Sequence, residues 1–174
     1  MPKNSKTVAV LVEDLYQVLE VWYPMLRLRE AGIRTVAVGT GTKETYGSKE
    51  GYPCKADTSI EKVKATDIDG VIIPGGYAPD ILRRYPKVVE LIRVLNQEKK
   101  VVASICHGGW LLVSAGILKN RKVTCFFAIK DDLIAAGAQY SDAEVVVDEN
   151  LITSRKPEDL PRFTEEIIKL LNKR

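Results

Sequence analysis

The sequence has 174 residues, of which 45% are hydrophobic and 28% charged, and its formal net charge is +3. This composition is typical of a globular protein and excludes the low hydrophobicity and high charge of disordered chains. Lysines and arginines are interspersed with acids, so the charge pattern predicts no nucleic-acid partner. Residues 1–6 are polar, and no apolar stretch is long enough for a signal peptide or a membrane span. We therefore expect a cytoplasmic protein that does not bind membranes.

Alternating β-branched and amphipathic segments predict an α/β fold. The predicted strands are residues 7–12, 34–38, 71–73, 101–105, 123–125, 145–147 and 151–154. The predicted helices are residues 15–29 and about 86–97, 108–114, 129–136 and 157–171. Strand, helix and strand in repetition indicate a doubly wound, mostly parallel sheet with helices on both faces.

The first predicted helix shows a clear apolar stripe and stops at Gly32. Its stripe comprises Leu15, Val18, Leu19, Trp22, Met25, Leu26 and Arg29. Residues 39–57 are too irregular for a helix and are predicted to be loop. The Asp148-Glu149-Asn150 turn predicts a late antiparallel hairpin. No repeat or flexible linker divides the chain, which predicts one domain over residues 1–174.

Cysteine usage indicates free thiols. Cys54, Cys106 and Cys125 are odd in number and lack metal-type spacing, so we expect no disulfide framework, no metal and no other cofactor. Cys54 and Cys125 are interpreted as packing residues.

Cys106 ends an apolar strand and is followed by His107, Gly108 and Gly109. The glycines permit the tight strand-to-helix turn of a nucleophile elbow. At a helix start, backbone N–H groups and the helix dipole favour a reactive thiolate. A buried, inert Cys106 is the alternative. His107 is the only histidine, but adjacent side chains on such a turn tend to diverge, so its role stays open between base, orienting group and none.

A second unusual loop, Pro74-Gly75-Gly76, directly follows the strand 71–73. Its bare backbone N–H groups predict an oxyanion site, with a plain turn as the alternative.

Together, Ile73-Pro74-Gly75-Gly76 and Ala103-Ser104-Ile105-Cys106-His107-Gly108 resemble the DJ-1/PfpI family, in particular its PfpI-type intracellular protease group. The resemblance continues through Ser114-Ala115-Gly116-Ile117-Leu118 and Thr153-Ser154-Arg155, so it covers nearly the whole chain. It implies a flavodoxin-like three-layer sandwich with Cys106 at the elbow, and Gly75, Gly76 and Gly108 near the oxyanion.

The resemblance also implies that a buried glutamate of the first helix contacts the thiol. The family spacing, a Glu four residues before a Pro, falls on Glu20 and Pro24. The apolar stripe disagrees, because Glu20 lies almost opposite it and should face solvent. If Glu20 does touch Cys106, a protonated Glu20 donating to a thiolate is the consistent state, since two adjacent negative charges repel.

Two positions depart from the family pattern. Gln17 replaces an acid found in many PfpI-type proteins three residues before the glutamate. Asp80 replaces a longer glutamate that is expected to reach across a subunit interface and orient His107, while Tyr77 stands where Arg is frequent.

The resemblance leaves three functions open. The first is a glutathione-independent glyoxalase or protein deglycase, in which Cys106 adds to methylglyoxal and Glu20 moves a proton. The second is an oligomeric cysteine peptidase that uses Cys106, His107 and the Asp80 of a neighbouring subunit. The third is a redox-sensing or chaperone-like stress protein that works through oxidation of Cys106. The implied partners are a small aldehyde or a glycated protein or peptide, and the implied assembly is a homodimer or homohexamer.

Overall fold

The computed structural model describes residues 6–173; the polar segment 1–5 and residue 174 lie outside the described residues. Its centre is a seven-stranded sheet in the order β10-β11-β7-β6-β1-β2-β5. Every neighbouring pair is parallel except the hairpin β10–β11. The predicted mostly parallel sheet and late antiparallel hairpin are thus confirmed.

The elements have the following bounds. In the described chain, the strands are β1 (Thr7–Leu11), β2 (Arg34–Gly39), β3 (Thr45–Gly47), β4 (Pro53–Lys55), β5 (Thr58–Ser59), β6 (Gly70–Ile73), β7 (Val101–Ile105), β8 (Lys122–Val123), β9 (Gln139–Tyr140), β10 (Val145–Asp148) and β11 (Leu151–Ser154). The α-helices are α1 (Val18–Glu30), α2 (Ala78–Leu82), α3 (Pro86–Gln97), α4 (Gly109–Ala115), α5 (Lys130–Ala135) and α6 (Leu160–Asn172).

The strand order reverses between the neighbouring strands β1 and β6, because the strands that follow them are added on opposite sides of this pair. The crossover from β1 through α1 leads to β2 on one side, whereas β6 leads through α3 to β7 on the other. Because parallel crossovers are right-handed, the two helices cover opposite faces. In such a sheet ligands bind outside the carboxyl ends of the strands where the order reverses, so the loops after β1 and β6 mark the place to inspect.

The strands that lead to this place are deeply buried. Every residue of β6 and β7 is buried, as expected for parallel strands covered by helices on both faces. The ends of these strands are therefore rigid supports for the residues that follow them.

The predicted apolar stripe of α1 was only partly correct: its Met25 is buried, but several of its leucines are exposed. Leu19 is 51% exposed and Leu26 is 57% exposed. The buried face is rotated away from the predicted stripe, shares only Met25 with it, and consists of Glu20, Val21, Pro24, Met25 and Leu28. This face contains a carboxyl group and a proline, which a hydrophobic pattern does not count, so the pattern selected the wrong side.

Two local predictions also required correction, and the structure contains one helix that was not predicted. Residues 122–123 form β8, which pairs with β9 outside the main sheet. The predicted loop 39–57 contains the antiparallel hairpin β3–β4, whose Tyr46 is fully buried. Helix α2 was not predicted; it is only five residues long and carries Pro79 in its first turn.

Candidate active site

Cys106 occupies a sharp turn between β7 and α4. Ile105 is extended, at φ −127°, whereas Cys106 has a positive φ of 57°. A non-glycine residue in this left-handed region is uncommon and costs about 1–3 kcal/mol, and such strain concentrates at functional sites. The predicted nucleophile elbow is confirmed as a backbone geometry.

Glu20 lies inside the protein, beside the elbow, contrary to the solvent-facing position that its helical wheel predicted. Its side chain is fully buried, and its Oε2 accepts a hydrogen bond of 2.6 Å from the backbone N–H of Gly75. Its Oε1 has no hydrogen-bond partner among the described residues. A buried carboxyl oxygen without a partner is costly, and it is available to a reacting group.

Gln17 sets the position of Glu20. It is the N-cap of α1, and its side-chain oxygen accepts a hydrogen bond of 2.9 Å from the backbone N–H of Glu20. Such caps stabilise a helix start by about 1 kcal/mol. The residue that departs from the family pattern thus has a structural role beside the site.

Gly75 brings the glutamate and the cysteine together. A Cβ atom on Gly75 would lie 2.7 Å from both the Cβ of Cys106 and the Oε2 of Glu20, so only glycine fits. Its N–H group is occupied by Glu20, so Gly75 is not free to bind an oxyanion as the sequence predicted. Its function is close approach instead.

We expect Gly75→Ala to lower the free energy of unfolding by about 1–3 kcal/mol, because the new methyl group overpacks a closed site. Activity should fall as well, since Glu20 and Cys106 are pushed apart. The matched control is Gly47→Ala. Like Gly75, Gly47 does not have a positive φ, but no atom lies within 4 Å of a Cβ added to it. Urea unfolding of both variants measures the effect, and equal stabilities would contradict this account of Gly75.

The second glycine of the loop and the elbow turn supply the free N–H groups. The backbone N–H groups of His107 and Gly76 both lower the pKa of Cys106, so they face the sulfur. Gly108 has another function: a Cβ there would lie 2.5 Å from the carbonyl oxygen of Ile73, so Gly108 permits the turn to pack on β6. The N–H of His107 is a donor that the sequence analysis missed.

Burial outweighs those N–H groups at the thiol. Burial and, to a smaller extent, the negative charge of Glu20 together raise the pKa of Cys106 to about 12. This direction is opposite to the one expected from the helix start, because the residue is only 8% exposed. The resting sulfur is therefore a thiol, and its attack on a carbonyl requires a neighbouring group that accepts the proton.

Glu20 is suited to accept that proton. Burial raises its pKa to about 7, although the Gly75 N–H, Cys106 and the charge of Lys49 each lower it. A carboxyl group with a pKa near the working pH both takes up and releases a proton readily. Glu20 and Cys106 titrate as a coupled pair: Glu20 ionises first, and its negative charge then helps to keep the proton on the thiol.

The raised pKa of Glu20 predicts a pH-dependent stability. The unfolded value is 4.5 and the folded value about 7, so the folded state binds the proton more tightly. Stability is then full below about pH 4.5 and decreases as the pH rises to about 7. We expect the unfolding free energy of the wild type, relative to Glu20→Gln, to be about 2–3 kcal/mol lower at pH 8 than at pH 5. Urea unfolding at both pH values measures this, and an unchanged difference would show that Glu20 has an ordinary pKa.

His107 turns toward the thiol. Its Nδ1 lies 3.3 Å from the Sγ of Cys106, although adjacent side chains were expected to diverge. The ring packs between Trp110 and Phe126, at centroid distances of 5.1 and 5.0 Å. Burial and the charge of Lys49 lower its pKa, so the imidazole is neutral near pH 7. A neutral ring nitrogen beside the sulfur is a second possible proton acceptor.

Asp80 is engaged elsewhere in the same chain. Its carboxylate pairs with Arg84 one turn further along, and this pairing lowers its pKa. The described contacts include none between Asp80 and His107. The predicted contact with the His107 of a neighbouring subunit stays a prediction.

A cavity of about 410 Å³ opens in front of the thiol. Cys106, His107, Glu20 and Gly76 line it together, so the structure joins four of the predicted site residues. Sequence reasoning missed further lining residues, namely Lys49, Trp110, Phe126, Lys156 and Pro157. Of these residues, only Trp110 could have been predicted from local sequence. It lies three positions after His107 at the start of a helix, and residues three apart on a helix are neighbours.

Two absences hold for residues 6–173. No group of three or more His, Cys, Asp or Glu side chains in this range could hold a metal ion. No helix in the same range has the length and apolar character needed to cross a membrane.

Comparison with known proteins places these features in a family context. A model described as the DJ-1/PfpI family matches residues 6–170. The chain is 42% identical to "Deglycase PfpI" of Pyrococcus furiosus, over 90% of this chain and 93% of that protein. It is 41% identical to "Putative cysteine protease YraA" of Bacillus subtilis, over 96% and 99%. It is 38% identical to "Protein/nucleic acid deglycase 2" of Escherichia coli, over 97% and 99%.

The fold has a close solved counterpart. Drosophila melanogaster DJ-1beta superposes with a TM-score of 0.90 at 28% identity, over 97% of this chain and 91% of that one. The flavodoxin-like architecture expected from the sequence is therefore confirmed.

Proposed function

Because the chain belongs to the DJ-1/PfpI family, we propose that it is a cysteine-dependent, glutathione-independent glyoxalase and protein deglycase acting on methylglyoxal and related aldehydes. Relatives named deglycases support an enzyme of this general kind. The main support from the site is the unpartnered Oε1 of a buried glutamate whose pKa is about 7, next to the thiol.

In this mechanism Cys106 attacks the aldehyde carbon and Glu20 accepts the thiol proton. Glu20 then passes that proton to the former aldehyde oxygen, which forms a hemithioacetal. The N–H groups of Gly76 and His107 face the sulfur and are placed to stabilise negative charge on that oxygen.

Glu20, again a carboxylate, next removes the proton from the hemithioacetal carbon and returns it to the neighbouring carbon, while the hydroxyl proton moves from the hemithioacetal oxygen to the former ketone oxygen. The product is a lactoyl thioester on Cys106. Water hydrolyses this thioester to lactate and regenerates the thiol. For a glycated thiol, the same attack by Cys106 breaks the bond to the original sulfur, which leaves as a free thiol with one proton.

A cysteine peptidase is the second candidate, and the 3.3 Å separation between Sγ and Nδ1 favours it. In that function His107 accepts the thiol proton and the Asp80 of a neighbouring copy orients the imidazole. A relative named a putative cysteine protease adds weight. Redox sensing through oxidation of Cys106 is a third candidate and requires no turnover.

A substrate comparison tests the proposal. We expect the purified protein to convert methylglyoxal to lactate without glutathione and to leave a casein substrate intact. Casein cleavage without lactate formation would establish the peptidase instead. Oxygen added to Cys106 by mild peroxide, without either activity, would favour the sensor. Gel filtration in parallel tests the proposed homodimer or homohexamer, and a monomer would exclude the Asp80 arrangement.

We propose a cytoplasmic protein of one domain that uses no cofactor. We also propose that nucleic acid is not a substrate, although one relative is named a protein and nucleic acid deglycase. Recovery of unmodified guanine within methylglyoxal-treated DNA, together with release of lactate, would contradict that last assignment.

A further inference from the structure

Two lysines from separate parts of the chain lie at the mouth of the thiol cavity. Lys49 is in the turn of the β3–β4 hairpin, and Lys156 lies two residues after the end of β11. Both line the same cavity as Cys106, and both side chains are exposed. Neither was singled out by its sequence context.

The backbone holds both lysines in place. The N–H of Lys49 donates to the carbonyl oxygen of Tyr16 at 2.9 Å, which ties the hairpin turn to the loop after β1. The carbonyl oxygen of Lys156 accepts a hydrogen bond of 3.0 Å from the N–H of Asp159. The backbones of both lysines are therefore anchored by hydrogen bonds beside the cavity.

Positive charge is in excess at the mouth of this cavity. Among residues 6–173, Glu20 is the only acid that lines the cavity, and it is largely protonated below about pH 7. Lys156 forms no ion pair with any residue of the described range, whereas Lys49 lies 3.5 Å from Glu50. The charge of Lys49 shifts the pKa values of both Glu20 and His107, so its field reaches the reacting groups.

We propose that Lys49 and Lys156 form an anion subsite at the cavity mouth, which favours aldehyde adducts whose thiol or amine portion carries a carboxylate. Clefts with charge of one sign and low-dielectric walls concentrate ligands of the opposite sign. The preference for adducts rests on the proposed function, but the anion subsite itself does not. It can therefore be tested without turnover.

Alkylation of Cys106 provides that test, because iodoacetate and iodoacetamide differ only in the carboxylate. The ratio of their rates at Cys106, followed by intact mass, reports the local preference for an anion. Changes in thiol ionisation affect both reagents and cancel in the ratio. Cys106→Ser corrects for any reaction at the buried Cys54 and Cys125.

We expect Lys49→Gln and Lys156→Gln each to lower the iodoacetate to iodoacetamide ratio about 2- to 5-fold, and the double variant about 5- to 20-fold. Lys49→Arg and Lys156→Arg should keep the wild-type ratio. Lys87→Gln, an exposed lysine of α3 outside the cavity lining, is the matched control. A double variant within about 1.5-fold of wild type, or an equal drop in Lys87→Gln, would overturn the subsite.

A second measurement extends the test to substrates. The methylglyoxal hemithioacetals of N-acetylcysteine and N-acetylcysteamine differ by one carboxylate. We expect the double variant to raise KM for the first several-fold and to leave KM for the second unchanged. If neither is turned over while the alkylation ratios behave as expected, the proposed function fails and the anion subsite stands. If both are turned over with unchanged KM values, the preference for carboxylate adducts fails.

Discussion

Cys106→Ala is expected to reduce kcat/KM for methylglyoxal by about 10³-fold or more, because the covalent intermediate cannot form. Cys106 directly follows the buried strand β7, and neither Cys54 nor Cys125 lines the cavity, so no other thiol is placed to take over the attack. Lactate formation measures the effect. The same variant should also fail to release free thiol from a glycated thiol.

Cys54→Ala is the matched control for this prediction. Cys54 is also a buried free cysteine, but it lies in β4, and burial raises its pKa to about 11. Its replacement should leave kcat/KM nearly unchanged. Aldehyde loss that persists in Cys106→Ala would end the glyoxalase proposal, because that chemistry passes through this sulfur at every step.

Glu20→Gln is expected to lower kcat by about 10²- to 10⁴-fold, the usual contribution of a positioned acid–base group. The amide is similar in shape and its oxygen can still accept the Gly75 hydrogen bond, so the fold should persist. It cannot take up a proton from the thiol or from carbon. Proton exchange from solvent into lactate, followed by NMR in D₂O, should slow with kcat.

A second buried glutamate provides the control. Glu13 is 3% exposed and accepts a hydrogen bond from Thr40, but it does not line the thiol cavity. Glu13→Gln should therefore keep kcat even if stability changes. If Glu20→Gln retains full activity while Cys106→Ala is inactive, His107 becomes the proton acceptor and the Sγ–Nδ1 contact gains the catalytic role.

Several features were predictable from local sequence. The strand 101–105 followed by Cys106 and two glycines predicts the elbow, because an apolar run that stops at Gly-Gly must turn sharply. The Pro74-Gly75-Gly76 turn after β6 likewise predicted a close backbone approach. The predicted partner of this turn was wrong, because the N–H of Gly75 donates to Glu20 and is not free for an oxyanion.

Other features depend on distant contacts. The pKa direction at Cys106 was wrong from the sequence, because the depth of burial depends on the surrounding elements and not on the helix start alone. The side of α1 that is buried was wrong because a hydrophobic pattern cannot anticipate a buried carboxyl group. Only the resemblance to a family, with its Glu-to-Pro spacing, indicated Glu20.

By itself, the sequence determined the alternation of strands and helices, the turn that presents Cys106 and the glycines that permit close packing, since each depends on neighbouring residues. The tertiary structure decided that Glu20, Gly75 and Cys106 meet, that His107 turns toward the sulfur, and that Lys49 and Lys156 share one cavity mouth. Apart from the neighbours Cys106 and His107, these residues are far apart in the chain. They meet because the order of strands reverses between β1 and β6, and that reversal is set by packing of the whole sheet.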